Sequence, residues 1–367
     1  MHDCIVIGGG VIGMLTAREL AHSGVRVKLF DRGALGQECS WAGGGILSPL
    51  CPWRVTAGLS ELARWSQAYF PELIETLQAE TGIDPEWQRC GMLVLTPDDL
   101  DNAISWSKAQ GIPVELLASD ALFRLEPALK QGQYNALCLP DIAQIRNPRL
   151  IDAIKQSLRQ LGVELFEHTG VQGISAAGQK LCAIETAAGT FACDFAVIAC
   201  GAWSSQLTRD FGSQLSVTPV RGQMICYRAT PGYLQHILIK DDSYVIPRKD
   251  GHLLVGSTLE DAGFDKGTTT EARQQLESVA ASFLPDIKHF PFVRHWSGLR
   301  PKTPTGIPYI GPYPGVEGLF LNTGHYRNGV LLAPGSARLL ADIMLNRQTI
   351  VVADNFQFHR EEQLVTH

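Results

Sequence analysis

The feature that most constrains this chain is Gly8-Gly9-Gly10-Val11-Ile12-Gly13, a G-x-G-x-x-G run directly behind the apolar segment 4–7. Residues 11–22 place Val11, Ile12, Leu15, Leu20 and Ala21 at near-helical spacing, and Gly24 suits the helix stop. Residues 26–30 then alternate as a second strand that ends at Asp31. Strand, glycine turn, helix, strand and acid in this order predict a βαβ unit with parallel strands and a right-handed crossover. Gly8 permits the tight turn, Gly10 lets the backbone approach a pyrophosphate, and Gly13 lets the helix pack against the strand. The helix start offers unpaired N–H groups, with Val11 and Ile12 leading it. Asp31 can accept hydrogen bonds from ribose hydroxyls. The run therefore points to a dinucleotide site, for either FAD or NAD.

The remaining composition narrows the class. At 367 residues the chain suggests two domains or one large one. Lys and Arg number 31 against 37 Asp and Glu, a net charge of -6, which speaks against a nucleic-acid partner. No apolar run approaches the roughly 18 residues of a membrane-spanning helix. No basic n-region precedes residues 4–7, so a cytoplasmic protein is expected. The nine cysteines are scattered without a C-x-x-C pair, and the histidines lack metal-site spacing. Neither a disulfide framework nor a metal centre is expected.

Beyond the fingerprint, strands and helices mix throughout. Helices are expected at 59–81, with Trp65, Tyr69, Leu73 and Leu77 on one face and Pro71 as a possible kink, and at 98–110, 148–161 and 270–283. Strands are expected at 91–95, 163–166, 195–199 and 319–322. Residues 222–258 read as strand-rich, with a turn at 249–251. The dense prolines and glycines of 301–314 suggest a stiff irregular loop, and 334–345 a closing helix with Pro334 near its first turn. The helix-strand alternation weakens at 86–143 and 222–296. These form the expected second domain, inserted into a first made of 1–85, 144–221 and 297–367.

Cys39-Ser40-Trp41-Ala42-Gly43-Gly44-Gly45-Ile46-Leu47 is a second small-residue segment close behind Asp31. Its backbone can approach another flat or anionic part of a ligand. With it in the same order come Val197-Ile198-Ala199-Cys200-Gly201-Ala202-Trp203, Gly298-Leu299-Arg300-Pro301 and Gly324-His325-Tyr326-Arg327-Asn328-Gly329. Together these segments resemble the glutathione-reductase-type flavoproteins of the D-amino-acid oxidase superfamily, and within it most of all the glycine oxidase (ThiO) family. The resemblance runs from residue 1 to about 345. It implies an α/β and α+β fold: a Rossmann FAD domain with an inserted antiparallel-sheet substrate domain. An NAD enzyme would leave the second glycine segment and the C-terminal motif unexplained.

The resemblance also assigns residues. Asp31 becomes the ribose ligand. Arg32, Cys39, Ser40, Gly43, Gly44, Gly45 and Ile46 become further flavin contacts, and Val171 meets the adenine. Cys200, Gly201 and Gly298 complete the wall, and Tyr326, Asn328, Gly329 and Val330 stand at the flavin's pyrimidine end. Related sarcosine oxidases attach flavin to a C-terminal cysteine; here the last cysteine is Cys226, so the FAD is expected to be non-covalent. A homo-oligomer is also implied.

For the substrate, a small amino acid, Arg300 matches the carboxylate clamp, carried on what reads as a loop stiffened by Pro301 and Pro304. The plain alternative is an ion-paired surface arginine. Tyr244 matches an active-site tyrosine, Arg327 a further site arginine, and Ser48 a small position beside the flavin. His325 is better read as structural than as a base, because the chemistry requires none. The implied activity is oxidative deamination of glycine, with sarcosine and small D-amino acids as further substrates. Hydride passes from Cα to flavin N5, dioxygen yields hydrogen peroxide, and the glycine imine could serve thiazole synthesis for thiamine. The alternatives are a flavin-dependent D-amino-acid or secondary-amine dehydrogenase, and the FAD module of a tRNA-modifying enzyme.

Overall fold

The computed structural model describes residues 2–132, 135–209 and 215–359. Its first strand, Asp3–Ile7, shows why the layers form. Cys4 and Val6 join a core with the helices Val11–His22, Ala57–Thr81, Asn147–Gln160 and Gly329–Met344. Ile5 and Ile7 join a second core on the opposite face. A strand apolar on both sides is what a parallel sheet covered on both faces demands. Among the described residues this sheet runs Tyr309–Pro312, Leu319–Thr323, Phe195–Ile198, Asp3–Ile7, Arg26–Phe30 and Glu164–Phe166. All its pairs are parallel except the first, which is antiparallel. A small antiparallel sheet, Val171–Ala177, Lys180–Thr186 and Gly189–Ala192, covers its far face.

A second, larger sheet runs Phe292–Lys302, Thr218–Arg228, His252–Gly256, Ser243–Pro247, Ile237–Lys240, Met92–Leu95, Ala136–Leu139 and Glu115–Leu117. It is antiparallel apart from the pair Ile237–Lys240 with Met92–Leu95, which is parallel. One face packs Ile225, Val245 and Val255 under the helix Thr270–Phe283. The other face presents Met224, Ile239, Tyr244 and Ile246. The strands Thr218–Arg228 and Phe292–Lys302 cross the expected domain edges at 221/222 and 296/297.

Three local expectations are corrected. Residues 301–314 are not one irregular loop: Pro301 and Lys302 end a strand, and Tyr309–Pro312 is another. Pro301 is tolerated because its strand is at the sheet edge, where a missing N–H costs least. The closing helix begins at Gly329, so Pro334 is its sixth residue rather than part of its first turn. Burial of Leu331, Leu332, Ala333 and Ala337 all round that helix outweighs the hydrogen bond Pro334 cannot make. On Ala57–Thr81 the buried stripe is Leu62, Ser66, Phe70, Leu73 and Leu77. Trp65 and Tyr69 are only half-buried and pack against each other beside it, ring centroids 5.0 Å apart with the planes tilted by 30°. Among the described residues no helix is long and apolar enough to cross a membrane.

Candidate active site

The carboxyl ends of the parallel strands open into a cavity of about 650 Å³, closed on its other side by the second sheet. Ligands in doubly wound sheets bind at that edge. Gly8, Gly10, Val11, Ile12, Asp31, Arg32, Val171, Cys200 and Gly201 form one end of its wall. Gly8 has φ +110, and a Cβ there would overlap the Ala199 backbone. Gly13 does not reach the wall; a Cβ on it would overlap the Gly8 carbonyl, so it acts by letting the helix press onto the turn. Asp31 accepts the Gly9 and Gly33 N–H groups, each at 2.7 Å, and each oxygen keeps a lone pair for a ribose hydroxyl. Burial raises the pKa of this carboxyl, and the two N–H bonds pull it back. The Arg32 guanidinium lies over the Trp203 ring at 3.6 Å. The Cys200 thiol donates to the Ile7 carbonyl at 3.1 Å, and burial pushes its pKa up to about 12, leaving it protonated and inert.

Cys39, Ser40, Gly43, Gly44, Gly45 and Ile46 line the middle of the cavity. Ser40 Oγ accepts the Val11 N–H at 2.9 Å, tying this segment to the helix start. Side chains from elsewhere fix the segment's carbonyls. Asn147 Nδ2 donates to Ser40 O at 2.8 Å, Trp296 Nε1 to Ala42 O at 2.9 Å and Arg248 Nη2 to Gly44 O at 2.8 Å. Arg248 also donates to Gln144 Oε1 at 2.6 Å and Ile145 O at 2.9 Å. Burial lowers its pKa to about 10, so it stays charged at neutral pH. The sequence hid this residue, because it stands directly before the turn expected at 249–251, where an arginine reads as solvated.

The second sheet supplies the remaining wall. Its register places Tyr244, Gly256, Met224 and Trp296 in one row across four strands. Gly222 opposite Gly298 forms the next row, and Val220 opposite Arg300 the third. Arg300 thus sits on an edge strand rather than on a proline-stiffened loop. Its Nη2 donates to Ser257 Oγ at 2.6 Å and its Nη1 to Thr258 O at 3.1 Å. Among the described residues no carboxylate pairs with it, which removes the surface ion-pair alternative. Tyr244 is buried, its hydroxyl 3.7 Å from Met224 Sδ. Arg327 donates through Nη1 to Asp242 Oδ1 at 2.7 Å, while its buried Nη2 has no partner. Ser48 donates to the Pro49 carbonyl at 2.8 Å. Tyr326, Asn328, Gly329 and Val330 bring the start of the helix Gly329–Met344 to the wall. His325 is buried against Ser336, Nε2 to Oγ 2.8 Å, and burial drives its pKa down to about 3. It is a neutral packing residue.

The geometry therefore gathers on one cavity wall every site residue the sequence suggested except Gly13. It adds Gly222, Met224, Ser257 and Arg54, which the sequence reading passed over. Only Gly222 carried a signal, as a glycine inside a strand. The wall fits FAD: two helix starts offer N–H groups, the glycine turns leave backbone bare where a Cβ would intrude, and the Arg327 Nη2 lacks an acceptor.

Comparison with known proteins agrees. The family model described as FAD dependent oxidoreductase (DAO) matches residues 3–343. The chain is 46% identical to the glycine oxidase of Pseudomonas aeruginosa over 348 residues, covering 95% of this chain and 96% of that protein. It is 29% identical over 365 residues to the bifunctional protein ThiO/ThiG of Trichormus variabilis, covering 98% of this chain and 55% of that protein. The crystal structure of glycine oxidase from Geobacillus kaustophilus superposes with a TM-score of 0.94 at 33% identity, covering 98% of this chain and 100% of that one.

Proposed function

Because the chain belongs to the DAO family of FAD dependent oxidoreductases, we propose that it is an amino-acid oxidase whose preferred substrate is glycine. The overall reaction takes glycine, water and dioxygen to glyoxylate, ammonia and hydrogen peroxide. Sarcosine and small D-amino acids are the further substrates the reading allows. One observation carries it: the Arg300 guanidinium stands on the cavity wall with only neutral partners, Ser257 Oγ and Thr258 O. Its charge is left for an anion from outside, and its fork matches a carboxylate bidentately.

Arg300 binds the carboxylate, and the Tyr244 hydroxyl donates to it and closes that end of the pocket. Holding the carboxylate at two points fixes which way the Cα–H bond faces. When bound, FAD would supply the two-electron redox chemistry that breaking the Cα–H bond requires, with dioxygen as the terminal acceptor. Gly8, Gly10, Val11 and Ile12 would hold its pyrophosphate, Asp31 its ribose and Val171 its adenine, all non-covalently. Arg327 and the helix start at Gly329 would place positive charge and N–H groups at the ring's pyrimidine end. His325, held neutral, moves no proton. The likeness to the ThiO/ThiG protein supports a role in supplying oxidised glycine for thiazole formation. We assign residues 86–143 and 222–296 to a substrate domain, with the ends 218–221 and 297–302 of its two boundary strands, and the remainder to the FAD domain.

The test is the visible absorbance of the purified protein, first without oxygen and then in air. Bleaching by glycine, recovery in air and release of peroxide are the expected results. Bleaching by D-alanine or sarcosine but not by glycine moves the substrate. Bleaching that air does not reverse identifies a dehydrogenase.

A further inference from the structure

We propose that Gly222 is a positioning residue for the substrate clamp, and that with Ser257 and Thr258 it forms a neutral seat on which the Arg300 guanidinium lies flat. The inference deepens the reading above and rests on it.

Gly222 is buried in the middle of the strand Thr218–Arg228. Its φ is not in the left-handed region, so its backbone does not call for glycine; only the missing side chain can. A Cβ built there would meet Arg300 Nη1, Cζ and Nη2, all well under 3.0 Å. The planar end of Arg300 therefore rests on the bare Cα of Gly222. The register explains how it arrives: Arg300 pairs with Val220, and Gly222 is the diagonal neighbour on the same face. Ser257 Oγ and Thr258 O then hold the edge of the fork from the side. The seat fixes the guanidinium without cancelling its charge, which an ion-pair partner would do. The same arrangement recurs one row away. A Cβ on Gly256 would meet the Cε2, Cζ and hydroxyl of Tyr244. Both substrate-facing side chains thus lie against glycines of the neighbouring strand.

Because what a new methyl would displace is the far end of a flexible side chain, Gly222→Ala should fold and load FAD while aiming Arg300 wrongly. The FAD-loaded variant is assayed for glycine KM and kcat, and for the dissociation constant of acetate, a bare carboxylate, read from the change it makes in flavin absorbance. For Gly222→Ala the expected result is a rise of about tenfold or more in both KM and the acetate constant, with kcat falling by a smaller factor than KM rises. Ser257→Ala, which adds no bulk, should raise both by roughly threefold to tenfold. It decides the question if Gly222→Ala fails to fold. Unchanged acetate binding in the variants that load FAD overturns the seat. Arg300→Lys is the companion. If it also leaves acetate binding unchanged, the clamp reading itself falls. If it alone weakens acetate, the clamp stands and the seat falls.

Discussion

The two ends of the cavity both depend on glycine, but for different reasons. At the cofactor end a Cβ on Gly8 or Gly13 would run into backbone, namely Ala199 and the Gly8 carbonyl. Backbone inside a parallel sheet or helix start cannot step aside without breaking its ladder. At the substrate end, a Cβ on Gly222 or Gly256 would run into the tips of Arg300 and Tyr244, which can turn. The cofactor end is thus tied to the fold itself, whereas the substrate end can be retuned with the fold intact. Substitutions at the first should cost stability and flavin together, and those at the second should cost substrate binding and orientation with stability and flavin kept.

The contrast can be broken at several points. The largest effect is expected for Gly13→Ala, which forces the helix Val11–His22 off the glycine turn. A loss of about 3 kcal/mol or more and purification without flavin are predicted, checked by thermal unfolding and by the ratio of visible to protein absorbance. If Gly13→Ala keeps its flavin and its Tm, the rigid half of the comparison fails. Next comes Arg300→Met, which removes the clamp but no backbone contact. Glycine KM should rise about 100-fold, near 2.7 kcal/mol, with flavin content unchanged. Asp31→Asn sharpens the picture at the cofactor end, since an amide can accept only one of the two N–H bonds now made. FAD affinity should fall roughly tenfold in a titration of the apoprotein, with glycine KM at saturating FAD unaffected.

The smallest effect is a pH dependence without a catalytic origin. The folded pKa of His325 is about 3, below its ordinary value. The unfolded chain therefore binds the extra proton as pH falls, and stability should drop below about pH 6.5 with a slope approaching 1.4 kcal/mol per unit from this group. Urea midpoints between pH 7 and 5 measure it, and His325→Gln should flatten that slope. The pH profile of kcat should be the same in both proteins; a profile that loses an ionisation in His325→Gln would make His325 a participant.

The cofactor end was legible in sequence because its requirements are local. Gly8 to Gly13, the helix behind them and Asp31 lie within one βαβ unit, and each spacing has a backbone reason. The substrate end joins Tyr244, Ser257, Arg300 and Gly222 from four segments, and only the sheet register brings them together. Arg300 was found by resemblance, yet its carrier was misjudged, since prolines at an edge strand look like a loop. Arg248 could not be found at all: a buried arginine serving the Gly44, Gln144 and Ile145 oxygens looks the same in sequence as a solvated one. Pro334 misled for a related reason, because burial of the whole helix overrides a local rule.

The most direct test is a crystal structure of the FAD-loaded protein with acetate, which mimics the substrate's carboxylate but cannot be oxidised. The account predicts the carboxylate bidentate on the Arg300 fork and within reach of the Tyr244 hydroxyl, with the guanidinium still flat on Gly222 and the C–C bond directed at the flavin ring. Acetate bound at Arg54 instead, or an Arg300 turned away to a carboxylate of the protein, would contradict it.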